Sequence, residues 1–530
     1  MLLSGAQIVI KSLRELEVDY IFGYPGVPEG NDLLADEFSP STRSSLPSRT
    51  GQGKICWSIC HVDSVDDQYI YAYDLVHNNG SSGGPVLVKV NDCTEYAVIG
   101  VDLPSNKEII DKLNSGIFPI KSSDKKVDEY FQNSIKKNNF FATCNNYAYS
   151  KADIIIIDIN LDVDKVSTEK KELLSYDVDL NNFKSAIKVI ASNCNEDVLI
   201  LVETTVPPGT CEKIIKPIIK DEFNRRNLDY EKIYIAHSYE RVMPGPNYID
   251  SIQNFYRVYS GVNEKSADYA EKFLKTIIST EKFPLTRLKG TNATEMAKVL
   301  ENSFRAMNIA FIVEWSRFAE EAGVNLYEVI NAIRMRPTHK SIMLPGVGVG
   351  GYCLTKDPLL ASWSKLNLFN SSTGLDQSEK GVKINDQMPL FAYNYLLSFF
   401  NNDIKNLKIL LLGVSYLSNV GDTRYSPVEL FYNCLSEAGA IISLHDPYVS
   451  YWAEKSINVE NNFNNIISEK YNIIVISTGH SFYSNNQTFL NYIMNNDNLF
   501  IFDTIGLFSE EEIRKINSKH RLIILGRGII

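Results

Sequence analysis

The 530-residue sequence predicts an α/β protein of two Rossmann-like, doubly wound domains joined by a long central helix, with an irregular β-rich amino-terminal region. Three observations carry this reading. From about residue 150 onward, short β-branched runs alternate with longer helical patterns, which implies crossover connections and parallel sheets. The runs fall into two groups with a long helical stretch between them. The first hundred residues differ, with β-rich runs, Gly/Ser turns and a polar stretch from Ser39 to Gly53 that has the composition of a loop or linker.

In chain order, the strands predicted from these runs are Asp153–Ile159, Val198–Glu203, Ile233–His237, Ile409–Gly413, Ile441–His445, Ile473–Ser477 and Leu499–Asp503. Apolar runs this short, flanked by polar residues, have the length of buried parallel strands. The long helix should open near Asn292, with Glu295 at capping-box spacing, and end at Gly323. The expected divisions are an atypical region over 1–95, a dinucleotide-binding domain over 96–288, a helical domain over 289–400 and a second Rossmann-like domain over 401–530.

Composition narrows the function. With 53 Lys+Arg against 64 Asp+Glu the net charge is −11, the wrong sign for a chain that binds nucleic acid mainly through phosphates. Eight scattered cysteines without CxxC pairs fit free thiols in a reducing compartment. There is no apolar run of about 18 residues and no signal-peptide pattern, so the expectation is a cytoplasmic protein without a membrane partner.

Several motifs carry chemistry. Glu203-Thr-Thr-Val-Pro-Pro-Gly-Thr210 follows a strand, where a sheet's carboxyl edge meets a ligand or where a stiff turn is needed. Ser238-Tyr-Glu-Arg-Val-Met-Pro-Gly245 also follows a strand and sets Glu240 beside Arg241, either a site or a surface salt bridge. Lys298 and Asn302, four apart on the long helix, share one face, which either meets one ligand or is simply solvated. The most specific stretch is Gly346-Val-Gly-Val-Gly-Gly-Tyr-Cys-Leu-Thr-Lys-Asp357. Its four glycines, Gly350 and Gly351 included, let the backbone approach a ligand closely. With Lys356 and Asp357 beside it, Cys353 reads as a nucleophile rather than as the small buried hydrophobe a lone cysteine usually is. Farther on, Gly413–Pro427 lies between a strand and a helix, where phosphates bind, and His445-Asp-Pro-Tyr448 ends the next strand.

In this order the motifs resemble the nucleotide-sugar 6-dehydrogenases of the UDP-glucose/GDP-mannose dehydrogenase family, over about residues 100–530. The form Glu-Arg-Val-Met-Pro-Gly leans toward the UDP-N-acetylhexosamine branch rather than the UDP-glucose branch. The resemblance implies a dimeric NAD-dependent enzyme that feeds polysaccharide biosynthesis, oxidising a UDP-sugar's C6 alcohol to a carboxylate through a cysteine thiohemiacetal and thioester. Residue by residue, Cys353 matches the nucleophile. Lys298 and Asn302 match the oxyanion-stabilising pair, Asp357 the carboxylate that helps deprotonate water, and Thr205 and Glu240 the groups that position it. Thr205, Lys356 and Arg424 match cofactor contacts; Glu240, Arg241, Lys298, Asn302, Arg336, Gly350 and Gly351 match substrate contacts. One departure is Leu417, where the family usually carries a phosphate-binding lysine.

The amino-terminal end departs further. A dinucleotide fold opens with a strand, GxGxxG, a helix, a second strand and an acid for the ribose. Tyr96–Asp102 supplies the second strand and the acid, Asp102. Upstream, only Gly80 and Gly83 fit the glycine pattern, and Val86–Val90 is β-branched where a helix is needed. Residues about 20–100 resemble the carboxyl half of a trypsin-like protease, with Ser82 at the nucleophile position but no room for its His and Asp partners, and residues 1–26 resemble the opening of an acetolactate-synthase-like enzyme. The impaired phosphate loop makes a poorly active nucleotide-sugar-binding protein the second expectation.

Overall fold

The structure, a computed structural model, describes residues 54–62, 95–119, 124–242, 245–484 and 486–528. Gly80, Gly83, Ser82 and residues 1–26 lie outside the described residues. The described chain forms two compact units, one from residues up to Leu161 with Asp179–Lys298, the other from Asp162–Val178 with Val299 onward.

Strands are numbered along the chain. The first unit holds an eight-stranded sheet of β1 Lys54–Val62, β2 Glu95–Val101, β3 Phe140–Thr143, β4 Ile154–Ile159, β7 Leu199–Val202, β8 Tyr234–His237, β9 Val258–Gly261 and β10 Thr286–Arg287. The hairpin of β5 Asp164–Ser167 and β6 Leu173–Asp177 belongs to the second unit. The sheet order is β3-β2-β1-β4-β7-β8-β9-β10. Ile154–Ile157 and Leu199–Val202 are buried throughout, as strands covered on both faces require. One face packs on Val127, Phe131, Ile249, Ile252, Leu274 and Ile277.

The place of a dinucleotide fold's first strand, between β2 and β4, is filled by β1, but β1 runs antiparallel to both neighbours. Cys56 lies opposite Val101 and Val62 opposite Glu95. The carboxyl end of β1 therefore sits at the edge where β2 begins, and Asp102 follows β2 at the other edge. This differs from the strand, glycine loop and helix order expected of the fold, in which both strands end at the cofactor edge.

The second unit contains a parallel sheet of β11 Lys408–Leu412, β12 Ile441–His445, β15 Ile473–Ile476, β16 Phe500–Asp503 and β17 Arg521–Ile524, in the order β12-β11-β15-β16-β17. A two-stranded ribbon, β13 Tyr451–Trp452 and β14 Ile457–Asn458, follows β12. In doubly wound terms this is order 2-1-3-4-5, with the topological switch between β11 and β15. Among the described residues no helix is long and apolar enough to cross a membrane.

The long helix runs Thr291–Ala322 and ends at Gly323, whose φ of 65° is the left-handed conformation expected there. Its start corrects the capping-box expectation. Both oxygens of Glu295 accept hydrogen bonds from a distant segment, Gly209 N at 2.6 Å and Cys211 N at 2.8 Å. The carboxylate satisfies the amino-terminal N–H groups of the helical segment after β7 rather than of its own helix.

At the switch point Gly413 has φ of 91°, and a Cβ there would lie 2.4 Å from Thr478 Cβ, just past β15. Both strain and overlap penalise any side chain at this position. Gly413→Ala should lower stability by about 2 kcal/mol or more, measured by urea unfolding monitored at Trp452, which is fully buried in the same unit. Unchanged unfolding would contradict the tight crossing of the two loops.

Candidate active site

In the first unit, the loop after β8 brings Glu240 to Lys298. The Lys298 ammonium donates to Glu240 Oε1 at 2.9 Å and to the Glu240 carbonyl at 3.0 Å, and lies over the Tyr239 ring at 5.6 Å. Burial works against ionisation of Glu240, but the Lys298 charge and hydrogen bond outweigh it and hold the carboxyl below the usual glutamate range. The pair is thus a formed ion pair whose ammonium charge could stabilise developing negative charge. Arg241 turns elsewhere, donating to Tyr239 OH at 3.1 Å and stacking on Tyr239 and Phe255. Thr205 is half-buried just past β7.

Behind this pair lies a buried network that the motifs did not reveal. Arg257 Nη1 donates to Glu203 Oε2 at 2.7 Å, and both side chains are buried. His237 Nδ1 meets Thr294 Oγ1 at 2.8 Å, and Ser260 Oγ meets the same hydroxyl at 2.7 Å. Burial lowers His237 to about 3, so its ring is neutral. Burial also raises Glu203 to about 7, against the opposing pull of Arg257. Glu203 and Arg257 are separated by 54 positions, and no local pattern marks either as the other's partner.

In the second unit the glycine stretch leads into the helix Tyr352–Asn367, with Gly351 at φ of 80° as its cap. Cys353 is exposed in the first turn, where the helix end favours negative charge. One turn on, Asp357 is fully buried; its Oδ2 accepts from Asn302 Nδ2 at 2.6 Å and its Oδ1 lies 3.1 Å from Lys356 Nζ. The Lys356 ammonium also sits 4.5 Å from the Tyr352 ring centroid. Cys353 and Asp357, four residues apart, share a helix face.

Gly350 and Gly351 serve packing as well as approach. A Cβ on Gly350 would meet Tyr416 Cβ at 2.5 Å and one on Gly351 would meet the Tyr416 ring at 2.6 Å. Arg424 makes a two-pronged ion pair with Asp422, Nη2 to Oδ2 at 2.6 Å and Nε to Oδ1 at 2.9 Å. Leu417 and Arg336 are exposed. The structure thus brings together Lys298 with Glu240, and Asn302, Asp357 and Lys356 with Cys353 one turn away, while Arg336 sits in a separate exposed segment. Asp102, at the carboxyl end of β2, has both carboxylate oxygens 3.1 Å from Asn106 Nδ2. Among the described residues no group of His, Cys, Asp and Glu could hold a metal ion.

Three domain models of the UDP-glucose/GDP-mannose dehydrogenase family match the chain: the NAD binding domain over residues 79–278, the central domain over 292–385 and the UDP binding domain over 410–510. The first match begins well before residue 100 and takes in Gly80, Ser82 and Gly83, so this part of the protease-like stretch falls within the dehydrogenase match. The UDP-N-acetyl-D-mannosamine dehydrogenase of Methanocaldococcus jannaschii is 32% identical over 82% of this chain and 92% of its own length. That of Campylobacter jejuni is 27% identical over 69% and 84%. Among solved structures, the UDP-D-ManNAc dehydrogenase from Pyrococcus horikoshii superposes with a TM-score of 0.65 at 27% identity, covering 80% of this chain and 92% of that one.

The raised Glu203 gives a signed pH prediction. Its native carboxyl binds a proton up to about pH 7, whereas the unfolded one releases it near 4.5. The stability it lends is therefore full below about 4.5 and lost as pH rises through 7. Glu203→Gln does not titrate, so its stability relative to the parent should rise by about 2–3 kcal/mol between pH 5 and pH 8 in urea unfolding. A pH-independent difference would contradict a raised Glu203.

Proposed function

Because the chain belongs to the UDP-glucose/GDP-mannose dehydrogenase family, we propose that it oxidises the C6 alcohol of a UDP-N-acetylhexosamine, UDP-N-acetylmannosamine or UDP-N-acetylglucosamine, to the carboxylate with two NAD. The observation that carries this is the exposed Cys353 in the first turn of its helix, one turn before an Asp357 that Asn302 holds fully buried. The UDP-N-acetyl-D-mannosamine dehydrogenases among its relatives support the choice of sugar.

When bound, NAD supplies the hydride acceptor for each of two oxidations. Asp102 fits the acid that would hold a ribose, and Gly80 and Gly83 lie within the matched NAD binding domain. The chain's own groups do the rest. Lys298, kept charged by Glu240, stabilises oxyanion charge as the C6 alcohol loses its proton. Cys353 Sγ adds to the resulting aldehyde carbon, and the C–S bond holds that carbon through the second oxidation, which leaves a thioester. Asp357, oriented by Asn302, takes a proton from water as it cleaves the thioester, releasing the carboxylate and the thiol; Glu240 and Thr205 position that water. The net change is alcohol, two NAD and water to acid, two NADH and two protons.

The domain assignment accompanying this reading is NAD binding over 96–288, helical over 289–400 and UDP-sugar binding over 401–530. The long helix is the dimer element. Met296, Leu300, Phe304, Phe311, Trp315 and Phe318 recur at spacings of three, four and seven along it, each 45–63% exposed. An apolar stripe of this kind on one helix face fits a second copy of the same helix.

A second reading has one specific observation in its favour. The antiparallel β1 ends at the edge away from Asp102, whereas the strand that leads into a dinucleotide fold's phosphate loop ends at the cofactor edge. On that reading the chain binds a nucleotide sugar and turns over poorly.

NADH absorbance separates the two. Purified protein with NAD and UDP-N-acetylmannosamine, UDP-N-acetylglucosamine or UDP-glucose, each alone, should yield two NADH per sugar with one of the first two. Cys353→Ala should cut acid formation at least a thousandfold while binding the sugar within about threefold. Two NADH only with UDP-glucose would move the substrate to the other branch, and no NADH from folded protein that binds UDP-sugar would favour the second reading. Light scattering should give a dimer, and Trp315→Asp should raise the dimer dissociation constant at least a hundredfold; a monomeric parent would remove the helix from that role.

A further inference from the structure

The motif His445-Asp-Pro-Tyr448 has no part in the chemistry above, yet its aspartate is the most heavily bonded side chain at the second sheet's switch point. Asp446 follows β12 and is fully buried. Its Oδ2 accepts from Val414 N at 2.9 Å, Ser415 N at 3.1 Å and Ser415 Oγ at 2.7 Å, all in the loop after β11. The same oxygen lies 3.1 Å from His480 Nε2, in the loop after β15. Oδ1 accepts from Tyr448 N at 2.9 Å and Val449 N at 3.2 Å. Every one of these partners is a donor, so the position needs two acceptor oxygens and rejects an amide.

His480 extends the cluster. Its Nδ1 accepts from Asn419 N at 2.9 Å, which leaves the ring proton on Nε2, facing Asp446. A neutral imidazole of that one tautomer satisfies both contacts. Asn419 Oδ1 in turn accepts from Ser481 N and Ser481 Oγ, both at 2.9 Å. The loop after β11 is therefore fixed at 414–415 and at 419, and between these points lie Tyr416, Leu417 and Ser418. Tyr416 presses on Gly350 and Gly351, and Gly351 N donates to the Arg424 carbonyl at 3.2 Å, so the same loop braces the glycine stretch that leads to Cys353. In open α/β sheets a ligand sits outside the carboxyl ends of the strands at the switch point, here between β11 and β15. The loops fastened by Asp446 and His480 are the two that flank it.

Resting on the function proposed above, we infer that Asp446 and His480 are positioning residues for the nucleotide sugar: they touch neither sugar nor cofactor, but fix the 414–419 turn that grips the UDP moiety. With Leu417 in place of a lysine, the grip depends on backbone and on Ser418 rather than on a flexible cation, and so on how rigidly that turn is held.

Isothermal titration of the full chain with UDP alone tests this. Asp446→Asn should weaken UDP binding at least tenfold, and Ser415→Ala, which deletes one bond of the cluster, about threefold. In turnover, KM for the accepted UDP-sugar should rise by the same factors, with kcat at saturation within twofold. Ile493→Val, a buried change in a helix of the same unit, should lower stability and leave the UDP constant unchanged. If Asp446→Asn does not fold, Ser415→Ala carries the test. Parental UDP affinity in folded variants, or an equal loss in Ile493→Val, overturns the inference. A parent chain that does not bind UDP overturns the proposed function instead.

Discussion

Burying a charged or polar side chain is tolerable only if its hydrogen-bonding groups are met, and the first turns of the long helix place three such side chains in succession. Glu295, Lys298 and Asn302 are all buried, and each finds its partner in a different segment. Glu295 takes the N–H groups of Gly209 and Cys211, Lys298 takes Glu240, and Asn302 takes Asp357. Losing one partner of a buried ion pair costs about 3–5 kcal/mol, because the other charge is left desolvated. In the first unit the loops after β7 and β8 are thus held to the start of the long helix, and in the second unit the helix Tyr352–Asn367 is held to the long helix's continuation. The groups to which the proposed mechanism gives oxyanion stabilisation and water activation are among those that the packing cannot leave unpaired.

What the sequence discloses follows the range of the interaction. The strands β4, β7, β8, β11, β12, β15 and β16 stand within one residue of the β-branched runs that predict them. Burial on both faces writes an unbroken apolar run in strands such as β7 and β15, while the edge strand β12, with Ile441 exposed, is read from its β-branched residues. Gly323 ends the long helix as expected, since a left-handed cap is a local demand. The glycines before Cys353 read as room for a ligand, and the neighbour that crowds Gly350 and Gly351 is Tyr416, a residue 65 positions beyond Gly351 that no local pattern ties to them. Glu295 shows the opposite case. Its spacing from Asn292 reads as a local cap, and its carboxylate serves another helix because buried N–H groups more than 80 positions away had the stronger need. The Glu203–Arg257 pair and the His480–Asp446 contact left no mark in any window, and short edge strands such as β10, two residues long, were below the length at which a period can be read.

The two units share an economy at their carboxyl edges. In each, a polar residue just past a strand is locked by a group from beyond the strand that follows it in sequence, Glu203 by Arg257 in the first and Asp446 by His480 in the second. Rigid loops on a twisted sheet let a few short side chains face a ligand without losing conformational entropy when it arrives. This explains why glycines with positive φ cluster there: Gly351 and Gly413 each lie where a neighbouring loop comes within 3 Å of a would-be Cβ.

The antiparallel β1 separates demands that usually coincide. Backbone pairing asks only that the gap between β2 and β4 be filled, and a strand of either direction presents N–H and C=O groups at the required spacing. The core asks for side chains on alternate faces, which either direction also supplies. Ligand binding asks more, because dinucleotide phosphates gather where parallel strands end and helices begin. A strand whose last residue, Val62, faces Glu95 meets the pairing demand, and its carboxyl end lies away from the edge where Asp102 stands. Filling the gap in the sheet and presenting a phosphate site are therefore separate demands on a strand at this place, the first met by pairing in either direction and the second set by the edge at which the strand ends.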